Sequence, residues 1–592
     1  MIVSLREKRL WVLFFLLSII STASQCGAAQ NTETLGKTIP RRIMAFYYPW
    51  YGTADGPGGA GRTVHWGSID ADNKDIAAST NYPELGAYDS HDPEVINKHC
   101  QWAKDAGIDT FIVSWWGHNH YTDRAMGKIL DGCQRNGLKA CIYYETVPKP
   151  RTPQSAADDI VKALNKYGEH PAHLRVNGKP VVFVYGRAVQ ELDLTGWLKA
   201  IDIINKEYKK GIVAIGDKFS YGAARVFGGL HTYNTAGHLR DMEPVDASTW
   251  ADGTYRSWVQ LADQAGKIST ITVIPGYDDT KIRKPGLAVN RYGGELYRVQ
   301  WEQAMKADPH WILITSFNEW HEGSEIEPSL QNKQKYLELT ARYAKDFKAK
   351  NRIVARQVAT SGFSIAQKAQ LRQKLERLRI GVLPGPDSMG FWWLLDIGVN
   401  MEVLTWENVV KGNLTPQRYP ILLYCAGERY RRSVQKSGDV DDALVGYLKE
   451  GGCLMVLPSM PWPFYSDENG KVVNRSSRFG LTLRKGLERP PGDTALHFRQ
   501  PQSNLAHVPQ KFPFPTSGDL RWRPFFAGGD IEHTSLLQLR DGSGRNLGDA
   551  VAYAKLDSGG TILYVWFGLL DGPYAEPVLY DVYDFITTRI NP

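Results

Sequence analysis

The sequence predicts an α/β protein: a (β/α)8 barrel followed by a second, smaller Rossmann-like α/β domain. Three observations carry this. Over residues 41–342, eight short apolar runs alternate with amphipathic, helix-forming segments. Alternation of this kind builds parallel βαβ units, and eight of them close a barrel. The pattern then gives way to a charged helical stretch over residues 333–378, and a new strand–helix alternation starts at Arg379. A chain of 592 residues has room for both units.

The eight runs are "RIMAFYYP", "DTFIVSWW", "KACIYYE", "VVFVYG", "IVAIGD", "LHTYN", "ITVIPGY" and "WILITSF". Each is rich in β-branched or aromatic residues and is bounded by turn formers. The sixth carries the weakest pattern, and an open doubly wound sheet is the alternative architecture. Helices are expected over residues 93–106, 123–136, 153–167 and 294–307. The barrel is placed at residues 40–350, a helical linker at 351–378 and an α/β accessory domain at 379–592.

Ahead of the barrel, Arg6, Lys8 and Arg9 precede an apolar run over residues 10–20 and then small residues. This is the pattern of a secretory signal, placed at residues 1–29. The run is short for a membrane span, so the mature chain is expected to be secreted or periplasmic, with no membrane span. A lipoprotein or an uncleaved anchor is the alternative, although Gln25 before Cys26 fits a lipoprotein poorly.

Composition excludes some functions. The net charge of +7 comes without a dense basic block, which argues against nucleic-acid binding. The six cysteines form no CxxC or Cys/His cluster, so no metal or other cofactor is expected. Cys141 and Cys425 sit in apolar strands and read as core; a Cys100–Cys133 bridge rests on compartment alone. The 18 Trp, 29 Tyr and 20 Phe suit stacking on sugar faces, and they suit any large packed enzyme too.

Barrel enzymes carry their chemistry at the C-terminal ends of the strands. Here those ends supply Tyr47, Tyr48, Trp50 and Tyr51; Ser114, Trp115 and Trp116; Tyr143, Tyr144 and Glu145; Tyr185; Tyr233 and Asn234; Tyr277, Asp278 and Asp279; and Asn318 to Glu322. One pole is thus dense in aromatic rings and carboxylates, which describes a sugar cleft. Glycoside cleavage needs two carboxyl groups in opposite protonation states, and crowding like charges separates their pKa values. Glu319 and Glu322 meet this need if the segment "SFNEWHEGSEIEP" turns at the strand mouth. Glu325 and Glu327 are expected to be solvated or paired with bases. Asp278 and Asp279 read as ion-pair partners of Arg283 rather than as a calcium site.

The motifs "AFYYPWYG", "HW", "LGAYDSHDP", "AGIDTFIVSWWG", "IYYE", "PGYDDTKIR" and "SFNEWHEGSEIEP" resemble, in order and spacing, those of glycoside hydrolase family 99, the endo-α-1,2-mannosidases and endo-α-mannanases. The resemblance covers residues 39–350. It implies a (β/α)8 barrel and endo-cleavage of an α-mannosidic bond with retention, in a polysaccharide or oligosaccharide substrate. It also implies that the sugar's own 2-hydroxyl is the nucleophile. Glu319 would be the base on that hydroxyl, giving a 1,2-anhydro sugar, and Glu322 the general acid/base. Tyr47 or Tyr48, Glu145, Tyr185, Tyr233, Arg283 and Asn318 would line the sugar subsites. Trp116 stands where animal members carry Tyr and suggests a mannan-type substrate. The chain departs from the pattern at Ser324-Glu325, where Thr-Gln is expected, and at His91.

The second domain loosely resembles the glutamine-amidotransferase-like domains appended to some glycosidases. Cys425 and Ser459 lie near strand ends but lack the framing of a nucleophile elbow, so this domain is expected to be non-catalytic. "FWW" (Phe391, Trp392, Trp393) and "MPWPFY" (residues 460–465) are either sugar-contacting surface or core. Oligomeric state is not legible.

Overall fold

The structure, a computed structural model, describes residues 39–590 except 353–361, 428–432, 461–463, 467–471, 480, 482–489, 491–494, 517–518 and 526–530. The signal-peptide segment, Cys26, part of the linker and residues 461–463 of "MPWPFY" lie outside the described residues.

Eight parallel strands close a barrel: β1 (Arg42–Tyr47), β2 (Thr110–Trp115), β3 (Lys139–Tyr144), β4 (Lys179–Val184), β5 (Val213–Asp217), β6 (Gly229–His231), β7 (Ile268–Val273) and β8 (Trp311–Ile314). Their order is β3-β2-β1-β8-β7-β6-β5-β4, and β3 pairs with β4 through Ile142↔Val182 to Tyr144↔Val184. That last pairing removes both edges and excludes the open sheet. The sixth strand is the shortest at three residues, because it opens on the pair Gly228-Gly229 and the chain leaves the ladder after His231.

The barrel is wrapped by helices, of which α1 (Pro93–Asp105), α2 (Tyr121–Asn136), α3 (Pro153–Tyr167), α4 (Gly186–Glu207), α5 (Tyr221–Val226), α6 (Pro244–Gln264), α7 (Glu295–Ala307) and α8 (Lys335–Lys348) are the main ones. Local sequence sets their ends. Asp92 accepts the Glu94 amide ahead of α1, with Pro93 in the first turn. Thr152 and Ser155 form a reciprocal capping box on α3. Gly137 ends α2 at φ +77°, the left-handed stop that favours glycine. Cys100 of α1 and Cys133 of α2 are both buried free thiols, not a disulfide.

Alternation along each strand splits the residues between two cores. Ile43, Ala45 and Tyr47 join the strand–helix layer with Phe111, Val113 and Trp115, whereas Met44, Phe46 and Tyr48 fill the barrel interior with Ile112, Cys141 and Phe183. This parity decides which strand-end residues reach the mouth.

The second domain begins after helix α9 (Ile365–Glu376). Its sheet holds β9 (Ile380–Val382), β10 (Met401–Val403), β11 (Ile421–Tyr424), β12 (Cys453–Val456), β13 (His497–Arg499), β14 (Lys511–Pro513), β15 (Glu532–Arg540), β16 (Asn546–Lys555) and β17 (Thr561–Val565). The order is β10-β9-β11-β12-β17-β16-β15-β13-β14. The first five are parallel, as a doubly wound sheet requires; the rest form an antiparallel extension. Helix α10 (Met389–Asp396) carries "FWW", and Phe391, Trp392 and Trp393 are all buried. They are core rather than sugar-contacting surface. No helix among the described residues is long and apolar enough to cross a membrane.

Candidate active site

The site is built on the segment after β8. Phe317 extends that strand by donating its amide to the Phe46 carbonyl, and the chain then turns sharply. A single 3-10 turn, Trp320–Glu322, is capped by Glu319, whose carboxylate accepts the His321 amide at 3.2 Å. The turn returns at once: the Ser316 amide donates to the Ser324 carbonyl, and the Glu327 amide to that of Phe317. Ser316 Oγ also accepts the Glu319 amide at 2.7 Å. This closed loop turns both Glu319 and Glu322 toward the mouth.

The two carboxylates have different partners. Glu319 is 2 % exposed. Its Oε1 takes the Tyr51 hydroxyl at 3.5 Å, and its Oε2 is buried with no partner. Glu322 keeps 14 % of its side chain exposed; Tyr233 donates to its Oε2 at 2.9 Å, and both terminal nitrogens of Arg283 lie 3.3 Å from its Oε1. Burial raises both pKa values. For Glu319 the neighbouring Glu322 and Glu145 push in the same direction and raise it well above the carboxylate range, whereas Tyr233 and Arg283 restrain the rise at Glu322.

The interior parity brings most of the expected residues together. Glu145, next inward after Cys141 and Tyr143, is buried, accepts the Ser114 hydroxyl at 2.7 Å and pairs with Arg187 at 3.3 Å. Burial pushes it up to about 7. Trp116 donates its indole N–H to Ser114 at 3.1 Å and carries the Arg187 guanidinium over its ring at 4.5 Å. Tyr48, Tyr185 and Tyr233 cluster by their rings, with Tyr233 lying 6.1 Å from Tyr48 and 5.9 Å from Tyr185. Arg283 joins Asp279 in a short ion pair and reaches the Tyr277 hydroxyl at 2.7 Å.

Two expected residues stand elsewhere. Tyr47 points into the strand–helix layer, hydrogen-bonded to His99, so Tyr48 is the member of the pair at the site. Asn318 is buried beneath the mouth, where its amide accepts the Tyr48 N–H at 2.8 Å and donates to the Tyr48 carbonyl at 3.1 Å. It clamps the backbone of Tyr48.

The remaining glutamates of the loop are not solvated. Glu325 pairs with Arg291 at 2.7 Å and accepts from Asn81 at 2.8 Å; both partners line a cavity of about 600 Å³ beside Gly323 and Tyr277. Glu327 is buried with Tyr88, His99 and Trp320 around its two oxygens. His91 packs on Tyr121, away from the carboxylate pair. Sequence reasoning also passed over Arg187, two residues beyond Tyr185, and Asp217, the last residue of β5. Asp217 accepts the Gly186 and Tyr233 amides at 3.1 and 3.3 Å, and burial pushes it up to about 7. Its place at a strand end was the available signal.

The glycosyl hydrolase family 99 model matches residues 38–352, more than half of the chain and the whole of this barrel with its carboxylate loop. The chain belongs to glycosyl hydrolase family 99. It is 27% identical over 369 residues to the mouse glycoprotein endo-alpha-1,2-mannosidase, covering 52% of this chain and 74% of that protein. It is 27% identical over 359 residues to the human glycoprotein endo-alpha-1,2-mannosidase-like protein, covering 52% and 75%. Among solved structures, the GH99 endo-alpha-mannosidase from Bacteroides thetaiotaomicron is similar at 29% identity and a TM-score of 0.45, covering 52% of this chain and 98% of that one. The protein is a glycoside hydrolase of a family that acts on α-mannosidic bonds.

Proposed function

We propose that this chain is an exported, retaining, endo-acting α-mannosidic hydrolase of mannan-type glycans. One observation carries the reading: two carboxylates, the buried Glu319 and the part-exposed Glu322, share one tight turn at the barrel mouth but hold different partners. Glu319 is the base that removes the proton from the sugar 2-hydroxyl, whose oxygen attacks the anomeric carbon as the glycosidic bond breaks. Glu322 protonates the departing oxygen, and it then deprotonates the water that opens the resulting 1,2-anhydro sugar. A base with a raised pKa suits so weak an acid as a hydroxyl.

Tyr233 and Arg283 favour charge on Glu322 more than on Glu319, whose Oε2 has no donor. Substrate reverses this. A 2-hydroxyl donating to the unpartnered Oε2 of Glu319 stabilises its charged form, and a glycosidic oxygen at Glu322 favours the protonated form there. Tyr48, Trp116, Glu145, Tyr185 and Tyr233 supply the stacking and hydrogen-bonding walls. The N-terminal basic–apolar–small pattern supports export. The second domain is read as non-catalytic, since burial pushes the Cys425 thiol up to about 12.

The test is Glu319→Gln and Glu322→Gln on an α-mannan oligosaccharide, with product sizing on a polysaccharide panel. Each variant is expected to lose turnover by at least about a hundredfold. Wild-type turnover in either would refute that residue's role. Binding without product release by the unmodified chain would point to a carbohydrate-binding barrel instead, and release from another α-glycan alone would change the substrate.

A further inference from the structure

We infer that the second domain serves the reaction at one remove: through Asp387 it braces the loop after β5, and with it the Asp217 that holds Tyr233 against Glu322. The inference rests on the reading of Glu322 as the acid/base.

The chain of contacts begins at Glu322, which takes the Tyr233 hydroxyl at 2.9 Å. Tyr233 is itself held by its backbone. Its amide donates to Asp217 Oδ1 at 3.3 Å, and its carbonyl accepts the Thr315 hydroxyl. Asp217 Oδ2 accepts the Gly186 amide at 3.1 Å, so one carboxylate ties together the ends of β4, β5 and β6. Both of its oxygens are committed to backbone N–H groups, which makes Asp217 a positioning residue.

The next residue crosses to the second domain. Lys218 Nζ lies 2.9 Å from Asp387 Oδ2, and Ser220 Oγ donates to Asp387 Oδ1 at 2.7 Å. Asp387 therefore grips the loop at two points. It is fixed in turn from behind, because its own amide and that of Ser388 donate to the Cys425 carbonyl at 2.8 and 2.9 Å. Asp387 follows β9, and Cys425 follows β11. The strand order reverses between these two strands, and the crevice there is where open α/β sheets take their ligands. In this chain the barrel's own loop engages that edge.

The interface continues along α10, which packs on α5. A side chain at Gly222 would run into the Trp392 indole nitrogen. At the far end of α10, Asp396 accepts from Tyr221 at 3.0 Å and pairs with Arg225 at 2.7 Å. The interface thus has two acidic ends, Asp387 just before the eight-residue helix and Asp396 as its last residue, and only the Asp387 end touches the loop that leads to Asp217.

That asymmetry supplies the experiment: Asp387→Ala and Asp396→Ala in the full chain, assayed on an α-mannan oligosaccharide. Asp387→Ala is expected to lower kcat by about threefold to fivefold with KM within about twofold. It is also expected to move the alkaline limb of the kcat–pH profile upward, because a displaced Tyr233 stabilises the Glu322 carboxylate less. The other groups facing Glu322, namely Glu319, Arg283, Tyr277, Tyr48, Tyr185 and Glu145, are unchanged in both variants. Asp396→Ala is expected to keep kcat within about twofold and to leave the limb in place.

An unmoved kcat and limb in Asp387→Ala would overturn the inference. So would an Asp396→Ala that reproduces them, since the domain would then add stability alone. If Asp387→Ala does not fold, Asp387→Asn, which keeps an acceptor for Ser220, and Lys218→Met from the barrel side carry the same expectation and the same refutation. Wild-type turnover in Glu322→Gln would sink the acid assignment and the brace together. An inactive Glu322→Gln beside an unaffected Asp387→Ala would sink the brace alone.

Discussion

Replacing Tyr233 by Phe removes one hydroxyl and leaves a ring held edge-on against Phe46 at 5.0 Å and Tyr185 at 5.9 Å. The fold has no reason to change. The loss falls on Glu322, whose Oε2 gives up a 2.9 Å donor while Arg283 remains at its Oε1. A hydrogen bond to a charged group contributes about 1.5–3 kcal/mol, and one pKa unit corresponds to about 1.4 kcal/mol. The Glu322 pKa in the enzyme–substrate complex is therefore expected to rise by about 1–2 units. The sign follows from charge: without the donor the carboxylate is less stable, so the acid keeps its proton to higher pH. Because kcat reports groups in the complex, its alkaline limb is expected to move up by that amount, with the acid limb, set by Glu319, nearly still. The plateau is expected to fall by less than about tenfold, since the acid is weaker. Reducing-end release at saturating α-mannan oligosaccharide, followed across the pH range, reads both limbs. A downward move, or a shift below about 0.3 unit, would refute the role of Tyr233 and weaken that of Glu322.

Two stability experiments test the surroundings of the pair. Glu145 is pushed up to about 7 by burial, so the folded state keeps a proton that the unfolded chain loses above about pH 4.5. Stability is then lost as pH rises through that window; Glu145→Gln, which cannot ionise, is expected to gain on the wild type by roughly 2–3 kcal/mol between about pH 5 and about pH 8 in urea melts. Equal differences at both pH values would refute the assignment. Glu325→Ala leaves the part-buried Arg291 without its carboxylate, though with the Gly323 and Glu325 carbonyls still accepting from it, and is expected to cost roughly 2–3 kcal/mol by denaturant unfolding, whereas Glu325→Gln keeps an acceptor and is expected to cost less. A costless Glu325→Ala would show that the pair at 2.7 Å holds nothing.

The barrel was legible because eight apolar runs of strand length alternate with amphipathic helices, a pattern few other folds produce. The turn that unites Glu319 and Glu322 was legible only as a requirement; the seryl contacts of Ser316 and Ser324 that close it join residues whose side chains say nothing of loop shape in sequence. The choice between Tyr47 and Tyr48 was hidden for a physical reason. A barrel strand is covered on both faces, so "IMAFYY" is apolar throughout and shows no alternation to reveal its inward phase. Asn318 misled in a related way: a polar residue at a strand mouth reads as a ligand contact, but here a backbone needed clamping. The antiparallel half of the second sheet was missed because short strands joined by irregular segments carry little periodicity.

The parity of the barrel strands has a consequence for how such a chain can vary. Tyr48, Trp116, Glu145 and Tyr185 reach the mouth because each lies an even number of residues from an inward rung of its strand: Phe46, Ile112, Cys141 and Phe183. The connecting loops are under no such count and can lengthen or shorten with little effect on where these groups point. One residue gained or lost within β1 would exchange Tyr48 for a neighbour of opposite phase, and the cleft would lose a wall without any change in composition. Tolerance to length change should therefore fall abruptly at strand boundaries, at points dictated by pleat rather than by distance from the chemistry.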